Sequence, residues 1–549
     1  TRRAFHAALL GSAVAAIAFR PIPASALAQD SADLFLNRLT FGTTPAERDV
    51  FRNLGPEAWL DAQLAPGSDR DLDARLADAR LRIAYEAGDD GEGHSWSALD
   101  ELRPLSSLTA DPADLVPLLD FTKPMDYAHR NRPADEVIAA SLIRAVHAKA
   151  QLAEVMTQFW HDHFNVAATK FEGTAVFFPA YDAMLRGHAL GNFRAMLGDV
   201  ARAPAMLNYL GTADSRASPA NENFARELLE LHTLGAGNYL NDRYRNWHEV
   251  PGAEDGLAEG YIDGDVFEVA RAFTGWTIGD GRWIAEGALA PVDGRFHFAE
   301  SWHDPYQKRI LGREFPANRA PMADGEDVLD MLATHPGTAR FVCTKIARRL
   351  LTDAPDDALV GRMADLFLQT AEAPDQIAQV VRLLALSPEF QAPAAKLRRP
   401  FEYLAALLRA SGADVVSPEA AFRWELSRAG WRQHEYPPPT GHPDQLADWA
   451  NTTVLARMVD TALYAHEPWA GITDTDPGLA IARGPVTFAG VADHWADVLG
   501  TDPDALRGSY LTALGAGPED TLPEDPDERR GLIALAFSFA ALSPEVLLR

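Results

Sequence analysis

The chain has 549 residues, 47% of them hydrophobic, with 50 Lys and Arg against 78 Asp and Glu for a formal net charge of −28. That balance opposes nucleic acids, anionic membranes and polyanionic substrates wherever no local basic patch overrides it, and makes a neutral or cationic ligand easier to hold. The single cysteine, Cys343, excludes an intramolecular disulfide and a cysteine metal cage, so stability must come from burial in what can be a large core.

The first residues read as an export signal. Arg2-Arg3 with Phe5, the apolar run 7–19 and the Ala26-Leu27-Ala28 triplet match a twin-arginine leader over 1–28, with a mature chain from Gln29. The run is well short of the roughly 20 residues that cross a bilayer. No later segment approaches that length, so the expectation is a periplasmic or secreted protein without a transmembrane span.

Beyond the leader the dominant period is helical. Apolar spacing near 3.6 predicts helices over 31–38, 47–64, 135–164, 180–201, 224–234, 266–273, 325–334, 338–351, 357–369, 376–386, 400–411, 453–463 and 531–541. Strand-like alternation is scarce, and the best case is a small β-hairpin insertion near 276–312. Gly, Asp and Pro mark loops at 87–111, 241–264, 412–419, 436–444 and 515–526. None looks like a long flexible linker, so residues 29–549 are expected to form a single large, mainly helical, all-α domain.

Two of these helices carry polar groups on apolar faces. In 152–164, Leu152, Val155, Met156, Phe159 and Trp160 share a face from whose centre His163 projects, while His161 points roughly 200° away. In 221–235, N-E-N-F-A-R-E-L-L-E-L-H-T-L-G, Asn221 caps a regular helix that Gly235 ends. Phe224, Leu228, Leu229, Leu231 and Leu234 form its apolar sector, with His232 near the middle and Glu227 between Leu231 and Leu234. Burying such groups without partners costs about 1–3 kcal/mol each, so each must be satisfied structurally or kept for chemistry.

The structural solutions are specific. His163 and His232 can bond backbone carbonyls, and Glu227 can pair with Arg186 or Arg194. His161 and Asp162 can be solvated, and Glu222, Arg226 and Glu230 can form an exposed salt-bridged face. His303-Asp304 with Lys308 falls in an expected loop, where polar residues are as readily functional as structural.

In series, Phe35-Leu36-Asn37-Arg38-Leu39-Thr40-Phe41-Gly42, Phe159-Trp160-His161-Asp162-His163-Phe164, Ala189-Leu190-Gly191-Asn192-Phe193, the 221–235 segment, Ala272-Phe273-Thr274-Gly275-Trp276, His303-Asp304 with Lys308 and Gly312, Ser387-Pro388-Glu389-Phe390 and Arg399-Pro400-Phe401-Glu402 resemble the bacterial exported family catalogued as domain of unknown function 1800. The resemblance runs from about Asp33 to the end of the chain. It implies a mostly helical fold, export and frequent genomic adjacency to a sulfatase-like exported family, and carries no reaction with it. One departure is Gly441-His442-Pro443, where the family usually has Gly-Trp-Pro.

Three functional readings follow. In the first, the protein is a hydrolase or lyase acting on an extracellular polymer such as a glycan: Glu227 is the acid or base, His163 and His232 carry protons, and His303, Asp304 and Lys308 close over the substrate. In the second, His161, His163 and His232 with a carboxylate bind a divalent transition metal, although no H-E-x-x-H spacing supports it. In the third, the protein is a scaffold or maturation partner of a sulfatase-like exported protein, and the buried polar groups only fix core geometry.

Overall fold

A computed structural model describes residues 31–91, 93, 95–393, 396–418, 420–464 and 486–549; the twin-arginine leader lies outside the described residues. The described chain is mainly helical, with short two-stranded antiparallel sheets. One continuous set of buried apolar side chains runs from Ala32 to Leu548. No described helix is long and apolar enough to cross a membrane.

The elements that position the polar groups are α1 (Tyr127–His147), α2 (Gln151–His163), α3 (Glu172–His188), α4 (Glu222–Glu227), α5 (Asp263–Ala272), α6 (Ala323–Ala333), α7 (Pro336–Leu350) and α8 (Pro400–Ala410). The helix expected over 135–164 is two elements, separated where Ala148 leaves helical geometry and Gln151 starts α2. The one expected over 180–201 also divides: α3 begins earlier, at Glu172, and Asn192 caps a separate helix, Phe193–Arg202, by accepting from the Ala195 N–H at 3.0 Å.

The expected hairpin region is present: Trp276–Asp280 pairs with Val292–Phe298, and Lys308–Ile310 with Arg313–Phe315. A further hairpin joins Arg80–Tyr85 to Leu99–Pro104, partly inside what composition marked as loop. Its signal is the alternation that buries Leu81 and Ile83 and turns Arg82 and Ala84 outward, a pattern too short to stand out against the surrounding Gly and Asp.

The largest correction concerns 221–235. Asn221 caps the start as expected, but the regular helix stops at Glu227 and Leu228–Thr233 winds as a π-helix. Thr233 Oγ1 bonds the Leu228 carbonyl at 2.6 Å, and the Gly235 N–H reaches back to Leu229 at 3.1 Å. Gly235 turns the chain at φ 89°, and a Cβ there would lie 2.6 Å from the Phe341 ring. Wider winding is common at functional sites; here it sets which face His232 presents.

A buried ion network fastens α2, α7, α8 and the residues ending at Arg549. Glu402, in the first turn of α8, contacts Arg349 and Arg399 and lies 3.7 Å from Arg549. Arg399 reaches Asp162 at 2.8 Å. Burial alone would push the Glu402 pKa up, but Arg349, Arg549 and Arg399 outweigh it and hold the carboxyl well below its usual range. Arg399 thus anchors the helix start, as its place before Pro400 suggested. Changing Glu402 to Gln should leave these buried guanidiniums short of a counter-charge and lower the unfolding free energy by about 3–5 kcal/mol. Urea unfolding of the variant checks this, and a loss below about 1 kcal/mol would show that the arginines are satisfied without it.

Candidate functional site

The last turn of α2 sends three consecutive side chains in three directions. Asp162 turns to Arg399 and to His442 Nδ1, 3.2 Å away, and is not solvated. His442, which stands where the family usually has Trp, keeps an aromatic role by stacking on Trp431 with ring centres 3.9 Å apart and planes at 10°. Gly441 beside it has φ 68°, and a Cβ there would fall 2.0 Å from the Asp162 carbonyl.

His163 points into the core, where its Nε2 donates to the His232 carbonyl at 3.1 Å. The two imidazoles meet between their helices, ring centres 6.3 Å apart, and each residue is 1% exposed. Phe159, Trp160, Phe164 and Phe224 enclose them. Nδ1 of His163 and both ring nitrogens of His232 have no hydrogen-bond partner. Burial, then the nearby charge of Lys345, pushes the His163 pKa well down and that of His232 down to about 3. Both are neutral and sealed, so they do not line an open cleft. Lys345, four residues after Phe341 on α7, is the neighbour that sequence reasoning missed; burial lowers its own pKa to about 8.

Glu227 stands apart, half-buried at the end of α4, with no hydrogen bond or ion pair to any described residue. The arginines offered as its partners are engaged elsewhere: Arg186 with Asp182 and Glu154, and Arg194 with Glu326 and Asp330. Nor does Arg226 complete a salt-bridged face with Glu222 and Glu230, because it reaches across to Asp263 at 3.2 Å. Burial and then the charge of Glu230 raise the Glu227 pKa to about 7. Its charge is felt by Tyr209 and by Tyr261, which is 0% exposed and whose hydroxyl has no partner.

The segment His303 to Lys308 turns inward. Asp304 takes two bonds from Arg271, at 2.8 and 3.0 Å. Lys308 Nζ is held by the Asp304 and Tyr306 carbonyls at 2.7 and 2.9 Å and by Asp324 at 2.6 Å. His303 bonds the Thr274 carbonyl at 2.9 Å and lies 3.5 Å from Asp324. This network stiffens one wall of a cleft of about 840 Å³ that Glu268, Arg271 and Lys308 help to line. Glu227 is not in that lining; its helix packs on α5, which packs in turn on Lys308–Ile310. The expected catalytic residues therefore separate into a sealed histidine pair, an isolated carboxyl and a cleft wall.

His161, on the far side of α2, is also buried. Its Nε2 bonds Asp182 at 3.0 Å, and its ring centre lies 4.2 Å from that of His434. Ligand-type atoms of His161, Asp182 and His434 fall within 4.8 Å of one another, while His163 and His232 belong to no such group among the described residues. His434 has φ 56° and an unpartnered Nδ1, and a void of about 10 Å³ beside it has room for roughly one water. Two imidazoles and a carboxylate suit zinc in type. Their surroundings do not, because Asp182 already accepts from His161, Arg144 and Arg186, and two guanidiniums oppose a dication. Asp182 and His434 lie 21 and 273 residues from His161 in sequence, too far for spacing to have joined them.

Residues 34–547 match the family described as "Protein of unknown function (DUF1800)". The match covers nearly the whole chain, which belongs to that family. No curated protein and no solved structure matches it.

The His232 imidazole makes the fold acid-sensitive. Its folded pKa lies below the unfolded value of 6.5, so as pH falls through 6.5 the unfolded chain binds a proton that the folded one refuses. Stability should fall by up to about 1.4 kcal/mol per pH unit between 6.5 and 3 from this group. His232→Phe removes that slope and, having no hydrogen bond to lose, should cost under about 1.5 kcal/mol at pH 8. Thermal unfolding across this range measures both, and an unchanged acid slope would remove His232 as its source.

Proposed function

We propose that the protein is an exported acid–base enzyme, a hydrolase or lyase acting on an extracellular polymer such as a glycan, with Glu227 as the group that transfers the proton. One observation carries this reading: a half-buried carboxyl, free of any ion pair, stands beside the buried, unpartnered hydroxyl of Tyr261 with its pKa raised to about 7. Such a carboxyl is partly protonated at neutral pH. It can give a proton to a leaving oxygen and take one back from water or from a carbon acid. Glu230, three residues on, supplies the second carboxylate whose charge keeps the proton on Glu227. His163 and His232 are neutral and shielded by aromatic rings, so their part is to shape the wall behind α4.

The sign of the pH effect separates this role from a structural one. A folded pKa above the ordinary 4.5 means that the folded chain holds this proton longer than the unfolded one, and stability falls as pH rises from about 4.5 to 7. Glu227→Gln should therefore be as stable as the parent at pH 5 and about 1–2 kcal/mol more stable at pH 8, after discounting for partial exposure. Its turnover should fall by about 10²–10⁴. Product release from a panel of extracellular polysaccharides, followed as new reducing ends for hydrolysis or as an unsaturated chromophore for elimination, reads the activity. A sharp drop in melting temperature with Glu227→Gln would instead make it a structural carboxylate.

Export is part of the same proposal and rests on the leader sequence. Replacing Arg2 and Arg3 by Lys should hold the precursor inside the cell. Fractionation checks this, and undiminished export of the double variant would count against the twin-arginine route.

A further inference from the structure

The geometry points to the large cleft beside α5 as a binding site for an acidic sugar, a ring carrying a carboxylate, held by Arg309 and Arg245. The cleft, about 840 Å³, is within the size range of small-ligand sites. Its floor carries a stacked pair: the Arg309 guanidinium lies 3.7 Å from the centre of the Trp247 ring. Neither Arg309 nor Arg245 makes a side-chain hydrogen bond or ion pair with any described residue. A guanidinium fixed by stacking keeps its N–H edges in a plane that matches a carboxylate's two oxygens.

The carboxylates nearby do not fill that role. Asp265 is spent on the backbone N–H groups of Leu311 and Ile262, at 2.7 and 3.0 Å, and Glu268 is spent on Arg271. Tyr244, Phe267 and Tyr306 line the same cleft and are 53%, 49% and 67% exposed. Aromatic faces left in solvent around a polar cleft offer apolar surface to the flat face of a sugar ring, while the arginines read its charge. A chain with a net charge of −28 repels densely charged polyanions, which favours a short oligouronate over a nucleic acid. This site stands whether or not Glu227 transfers a proton.

Calorimetric titration of the whole chain with an oligogalacturonate, beside a neutral xylo-oligosaccharide of equal length, tests the assignment. The acidic oligomer should bind, with an affinity that falls as salt rises, and the neutral one at least about tenfold more weakly. Arg309→Ala should weaken oligogalacturonate binding by about tenfold or more, and Arg309→Lys, which keeps the charge and loses the planar fork, should restore only part of it. If Arg309→Ala fails to fold, the exposed Arg245→Ala carries the same expectation. Glu227→Gln should bind as the parent does, whatever happens to activity. Absent oligogalacturonate binding, equal affinity for the neutral oligomer, or arginine variants that bind as the parent would each overturn the site. Displacement by an equal concentration of inorganic phosphate or of a single-stranded oligonucleotide would overturn the acidic-sugar assignment.

Discussion

The arrangement of every polar centre in this protein follows from the fixing of Asp162 in the dry interior. Asp162 sits at the last turn of α2, and Arg399, itself tied to Glu402, holds it. With that one side chain pinned, the residues before and after it have no freedom left. His161 must face α3 and the loop that carries His434, and His163 must face the π-helix. Removing one partner from such a network costs more than the network contributes, because the remaining charges stay buried without compensation. The network is therefore better understood as a device for direction than as a reserve of stability.

Much of this was legible in the sequence, and the illegible parts have a common cause. The helical fold, the meeting of His163 and His232, the anchoring role of Arg399 and the hairpin region all follow from local period or from short motifs. The π-helix does not, because Leu228 to Thr233 has an ordinary amphipathic pattern and the winding is set by Gly235 lying against Phe341. The fates of Glu227, Arg186 and Arg226 were equally hidden: each had plausible partners nearby in sequence, and tertiary packing chose others. Lys345, Asp182, His434 and Asp324 reach the polar centres from elements far away in the chain, where no spacing rule applies. The histidines and the carboxyl were correctly marked as anomalous, but sharing an anomaly does not place residues in one cavity.

The separation of the three centres also divides their physical character. The histidine pair carries unpartnered nitrogens in an aromatic shell and stays neutral. The His161–Asp182–His434 group is saturated by arginines and has space for about one water. Glu227 is half exposed and keeps a proton near neutral pH. The cleft is wide, with aromatic rings in solvent. Rigid inner groups and open outer ones are what a binding surface on a stiff frame requires.

The π-helix has one more consequence, which concerns chain length and not side chains. A π turn spans one residue more per hydrogen bond than an α turn. Loss of a single residue between Leu228 and Thr233 would let the segment rewind as α-helix, turning whatever follows by about 100° relative to α4. Glu227 would keep its place, while His232 would leave the aromatic shell and Gly235 would lose its fit against Phe341. Substitutions in this stretch test chemistry one group at a time, whereas a one-residue deletion would dismantle the geometry at a stroke while leaving the composition almost untouched.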